Sequence, residues 1–306
     1  MDTKSTLAEK TVRLDSLLNL NRVIDGDKNA PAQIQLYYQL NRLTYRRFHS
    51  RSGFMHFRVS KNGVYSDEDI FYQPDTVSSY LQPGFHVLEL GPGNGANLVR
   101  LAKRHPDNKM IGVDLCPGKP RDLPSNARLL RRNYSDLSIF KENSFDVVYA
   151  VETIVHCSEA EKDSVFQEVY RVLKPGGVFL NWDYALTGPY ESFPPLTQKA
   201  IALISKGAAS AMIESADAWE QHFKQAGFLE EQTTDLSKEI MPDLKRLERK
   251  SHKVLDKPGR TRAMFRLFPS QMMNNVIVGY LGYDSFCEGI IGYKQWVYRK
   301  GTPAEP

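Results

Sequence analysis

About 100 residues, from 85 to 185, alternate short apolar runs with amphipathic ones, and this alternation constrains the fold more than anything else in the chain. The runs at 85–90, 109–114, 127–131, 145–151 and 178–182 have the length of strands and little polar alternation, as in strands covered on both faces. Between them, 97–104 and 159–173 carry apolar residues at helical spacing. Val165, Phe166, Val169, Tyr170 and Leu173 form the second stripe, ended by Lys174-Pro175-Gly176-Gly177. Strands alternating with helices predict an α/β fold with a parallel, doubly wound sheet. Three segments follow: an N-terminal arm and helical segment at 1–80, the α/β core at 81–187, and a C-terminal helical cover at 188–306. The cover holds helices at 198–209, 216–226 and 244–254, while 276–299 fits either a helix or a further strand.

The first strand runs into Glu89-Leu90-Gly91-Pro92-Gly93-Asn94-Gly95 and then a helix. Glycines at 91, 93 and 95 permit a tight turn and a close approach to a ligand. The spacing departs from the dinucleotide pattern, because the third glycine comes one residue early, and no Gly-Lys-Ser/Thr follows to make a phosphate loop. Asp114 ends the next strand, where an acid can accept both hydroxyls of a ribose. Glu89 adds a carboxylate that would repel a pyrophosphate and attract a cationic, amino-acid-like ligand. A sulfonium nucleoside fits these charges better than NAD. The alternative is a glycine turn that binds nothing.

The loop at 89–95, Asp114, Phe145-Asp146-Val147-Val148 and Leu173-Lys174-Pro175-Gly176-Gly177 together resemble the motifs of class I S-adenosylmethionine-dependent methyltransferases, over roughly 80–185. The resemblance implies a Rossmann-like methyltransferase sheet. It also implies that Gly91, Gly93 and Gly95 surround the methionine part of the cofactor, that Asp114 holds the ribose, and that Asn133 and Tyr134 border the adenine; Glu89 joins them by its charge, and contact with the cofactor amino group is the alternative role for Glu152. The family often has Gly-Asp at the adenine, whereas here Asp136 lies two residues past Tyr134.

Two further segments, Tyr149-Ala150-Val151-Glu152-Thr153-Ile154-Val155-His156 and Tyr37-Tyr38 with Ser52-Gly53-Phe54-Met55-His56-Phe57, resemble sterol and related terpenoid C-methyltransferases. That chemistry implies an alkene attacking the methyl group, a carbocation sheltered from water, aromatic faces beside it and a base to end the reaction. Glu152 and His156 stand four apart, so a helical turn would pair them as a base, with Tyr38 as a third catalytic candidate. Tyr37, Tyr45, Phe54, His56 and Trp182 are candidates for the substrate pocket, with Tyr184 similar. Ordinary core packing is the alternative for the aromatic residues. An O- or N-methyltransferase of a small metabolite is the rival activity, and a non-catalytic RNA-binding protein a second.

Charge enters at this point. The net +4 is too mild to imply nucleic acid, but it is unevenly spread. Six cations and no acid occupy 42–61, and nine cations and two acids occupy 244–266. Arg or Lys would clamp a prenyl diphosphate of geranyl or farnesyl size, the first choice of substrate, ahead of a prenylated metabolite. Arg47, Lys245, Arg246 and Arg249 are the clamp candidates, with Mg²⁺ expected only beside a diphosphate. A solvated basic face is the competing reading. Cys116, Cys157 and Cys287 have no metal or disulfide spacing and fit a reducing cytoplasm. No apolar run of about 18 residues appears, so no membrane span is expected. The N-terminal arm, with Leu14, Leu17, Leu18 and Leu20, offers a surface for docking, including on a second copy of the chain.

Overall fold

The computed structural model describes residues 6–25, 50 and 52–302. Seven strands form one sheet: β1 (His86–Leu90), β2 (Lys109–Asp114), β3 (Ala127–Arg131), β4 (Phe145–Val151), β5 (Leu173–Leu186), β6 (Phe228–Asp235) and β7 (Ile291–Lys300). Their spatial order is β3-β2-β1-β4-β5-β7-β6. The first five are parallel, and β7 runs antiparallel between β5 and β6. The expected doubly wound α/β sheet is therefore present, extended by two strands that make it mixed. Residues beyond 188, expected as helical cover, supply both.

Burial follows from the sequence. Val87 and Leu88 of β1 are both sealed, on opposite faces, because helices cover both sides of a parallel sheet. On one face Leu98 and Leu101 of an α-helix at Ala96–Arg104 pack on Val87 and Val147. On the other, Val165, Phe166 and Val169 of the helix at Glu159–Val172 join Leu88, Val148 and Phe179. In chain order the ten α-helices described are α1 (Leu7–Leu17), α2 (Leu20–Asp25), α3 (Tyr72–Ser79), α4 (Ala96–Arg104), α5 (Glu159–Val172), α6 (Pro195–Gly207), α7 (Ala216–Gln225), α8 (Met241–Leu255), α9 (Pro258–Leu267) and α10 (Ser270–Cys287). Ser158 and Glu161 cap α5 reciprocally. Ahead of α3 a 3₁₀ helix spans Asp67–Phe71.

The helices after β5 pack on one another and on the arm. α8 and α10 cross where Gly279 faces Ser251, since a Cβ at Gly279 would lie 2.3 Å from Ser251 Oγ. α1 docks on α6 and α10 of its own chain, with Leu7 and Leu14 fully buried. Lys10, also buried, forms ion pairs with Glu248 of α8 (2.8 Å) and Asp284 of α10 (2.5 Å), and stands over the Tyr280 ring. No described helix is long and apolar enough to cross a membrane.

Candidate active site

The strand order reverses beside β1, whose neighbours are β2 and β4, and in such sheets ligands bind beyond the carboxyl ends of the strands at that point. A cavity of about 740 Å³ opens there. It runs from the glycine loop after β1, past the ends of β4 and β5, to an apolar chamber walled by α8, α9 and α10.

The loop is shaped to bring backbone to a ligand. Gly91, Gly93 and Gly95 all have positive φ. A Cβ at Gly91 would lie 2.0 Å from Thr153 Oγ1. Tyr134 donates through its hydroxyl to the Thr153 carbonyl (2.9 Å), fixing the segment against which Gly91 packs. Asp114 accepts hydrogen bonds from Gly93 N at Oδ2 (2.9 Å) and Cys116 N at Oδ1 (2.6 Å). These two backbone donors orient the carboxylate at the end of β2, facing the cavity.

Glu89 is buried beside this loop. Asn97 Nδ2 stands 3.5 Å from Oε1, and His56 Nε2 donates to Asn97 Oδ1 at 3.1 Å. Oε2 has no partner in hydrogen-bonding geometry. Burial pushes the carboxyl up to about 8, against the pull of Tyr149 and Asn97. A buried acceptor without a partner, on the wall of a cavity next to a glycine cradle, fits the cationic end of S-adenosylmethionine. Asn133 and Tyr134 line the same end, while Asp136 is exposed and away from it.

The second carboxyl, Glu152, follows β4 with a left-handed backbone, φ +50. Few non-glycine residues adopt that conformation, at a cost of order 1 kcal/mol. Its Oε1 accepts from Phe57 N (2.7 Å) and the Tyr293 hydroxyl (2.8 Å), and Oε2 from the Tyr184 hydroxyl (2.5 Å). Phe57, Tyr184 and Tyr293 contact one another at centroid distances of 5.8–6.3 Å. Desolvation raises Glu152 to about 7 in spite of these donors. Its surface is not sealed, because it faces the cavity.

Several expectations are corrected. Glu152 and His156 are not paired. The expected helical turn is replaced by the left-handed Glu152 and a 3₁₀ turn at Ile154–His156, and His156 Nδ1 instead lies 3.0 Å from the Ala209 carbonyl. Burial lowers His156 to about 4, so it is neutral, though it still lines the cavity. Trp182 is sealed in the sheet with Nε1 bonded to Gln295, two residues before Tyr184, which does reach the cavity. Lys245 and Arg249 are exposed, and Arg246 is held by Asp243 at 2.7 Å. The cavity side of α8 is Leu244, Leu247, Ser251 and Val254, and Lys250 is the one Lys or Arg among the described lining residues. Phe54 lines the cavity in edge contact with His56, and Arg58 is an interior cation paired with Asp67 and Asp243. Tyr37, Tyr38, Tyr45 and Arg47 lie outside the described residues. No cluster of three or more His, Cys, Asp or Glu that could hold a metal ion exists among the described residues.

Residues 87–177 match the family model of a methyltransferase domain. A sterol 24-C-methyltransferase of Schizosaccharomyces pombe is 29% identical over 239 residues, covering 73% of this chain and 60% of the relative. The chain spans about two to three fifths of the length of the curated relatives it matches first. A cyclopropane synthase from Mycobacterium tuberculosis has the same fold, with a TM-score of 0.70 at 17% identity, over 90% of this chain and all of that one. So does a geranyl diphosphate C-methyltransferase from Streptomyces coelicolor, solved with Mg²⁺, geranyl-S-thiolodiphosphate and S-adenosyl-L-homocysteine (TM-score 0.63, 14% identity, 90% and 99% coverage).

Proposed function

We propose, for a chain that is a class I S-adenosylmethionine-dependent methyltransferase resembling the sterol C-methyltransferase group, that it methylates an alkene carbon of a large apolar terpenoid. The carrying observation is the Glu152 carboxyl, held by Phe57, Tyr184 and Tyr293 where the glycine loop meets the apolar chamber. Bound S-adenosylmethionine supplies an electrophilic methyl group. The chamber excludes water from the carbocation that the alkene becomes. Phe57 and Tyr184 present aromatic surface to it, each worth on the order of 2 kcal/mol when desolvated. Glu152 gives a counter-charge and, lying near neutrality, an acceptor for the proton that leaves.

A sterol-like substrate accords with the lining. A prenyl diphosphate is the second reading, and among the described lining residues it has Lys250 alone to meet the phosphates. Transfer of isotope-labelled methyl to a panel of Δ24-sterols and farnesyl diphosphate decides between them. Glu152→Gln is expected to lower kcat by about 10²–10⁴ while S-adenosylhomocysteine binding changes little. In the unaltered enzyme kcat should rise with pH through about 7, as Glu152 ionises. Efficient methylation of phenols or amines, with the Gln variant active, would sink the reading.

A further inference from the structure

Apart from Lys250, the cations of 244–266 have no role in the chemistry above. Arg246 is held by Asp243 and Arg260 by Asp256. Lys245, Arg249, Lys253, Arg262 and Arg266 are exposed on α8 and α9, and Lys257 is exposed in the turn between them. At the end of α9 the character changes abruptly. Leu267 is 80% exposed and Phe268 47%, the first being the most exposed large apolar side chain described. Phe268 also lines the cavity, as does Met264 one turn earlier, so the apolar chamber reaches the surface at this corner.

We propose that the α9–α10 corner docks on the surface of an anionic lipid bilayer, and that apolar substrate passes there from the bilayer into the chamber. Two adjacent exposed apolar side chains flanked by cations match a membrane interface, where apolar groups enter the acyl boundary and cations meet anionic headgroups. Each cation near such a surface raises partition about fivefold. Nucleic acid offers the same charges, and its bases could stack on Phe268, but the exposed Leu267 beside a mouth of the apolar chamber fits an apolar phase better. The passage of substrate rests on the terpenoid reading above, whereas the docking does not.

Full-length protein is sedimented with vesicles of phosphatidylcholine alone and with vesicles containing phosphatidylserine. Binding is expected to the second and to be weak or absent to the first, and to fall with salt. Leu267→Glu combined with Arg266→Glu should reduce it at least tenfold. Neither residue lines the cavity, so the melting temperature and S-adenosylhomocysteine binding should stay unchanged, which separates lost docking from lost folding. Failure of the enzyme to methylate any terpenoid would leave this result standing and remove only the reading of the substrate. No binding to anionic vesicles, or equal binding by the double variant, overturns the proposal. So does salt-sensitive RNA binding without vesicle binding, or a dimer that the double substitution dissociates without vesicle binding.

Discussion

Glu89 and Glu152 are both pushed upward, to about 8 and about 7, chiefly by burial, but their surroundings give them different work. Glu152 has three donors and is a finished hydrogen-bond centre. Glu89 has a long contact from Asn97, the pull of Tyr149 and an oxygen without a hydrogen-bond partner, so under the proposed function it is the one that a cationic ligand would complete. At pH 7 the free protein holds Glu89 mostly protonated. A cation at its side favours the carboxylate, so binding must expel the proton. Calorimetry of S-adenosylhomocysteine binding at pH 7, in buffers of differing ionisation enthalpy, should show release of most of one proton, and Glu89→Gln should abolish it. The sign also applies to folding. A carboxyl raised in the folded state stabilises it below the unfolded value, near 4.5, and loses that contribution as pH climbs through about 8.

At the level of elements, most of the strands that the sequence displays are covered on both faces, the edge strand β3 being the exception. β1, β2, β4 and the core of β5 are mostly apolar runs, so their hydrophobicity found them. β6 reads Phe-Leu-Glu-Glu-Gln-Thr-Thr-Asp, an edge strand exposed over much of its length, with no alternation to identify it. The site divides the same way. Glu89, Asp114 and Glu152 terminate recognisable strands, but Tyr293 is 141 residues from the carboxylate it serves, and only the register of β7 against β5 brings it there. The α8 cations failed as a clamp through helical phase: Leu244, Leu247, Ser251 and Val254 face inward, which turns Lys245 and Arg249 outward. Lys10 shows how the arm joins these helices. Lys10→Met would leave Asp284 buried without its cation, a loss of about 3–5 kcal/mol. A fall in Tm of several degrees, partly restored by adding Asp284→Asn, would establish the ion pair as the tie.

For the molecule as a whole, the glycine loop and the helical walls enclose one cavity, so ligand bound at the sheet edge stabilises what surrounds it. S-adenosylhomocysteine at a hundredfold excess over Kd should raise stability by about 2.7 kcal/mol, read from the shift in Tm. The strand order carries a further consequence, for the making of the protein. β7 lies between β5 and β6, although it comes 55 residues after β6 ends in the chain. During synthesis β6 therefore waits without a partner, a bare polar ribbon, until residues 291–300 leave the ribosome and slot in beside it. The same late arrival delivers Tyr293. The nascent enzyme can shape its glycine loop well before that, but its carboxylate cluster closes only with this last strand.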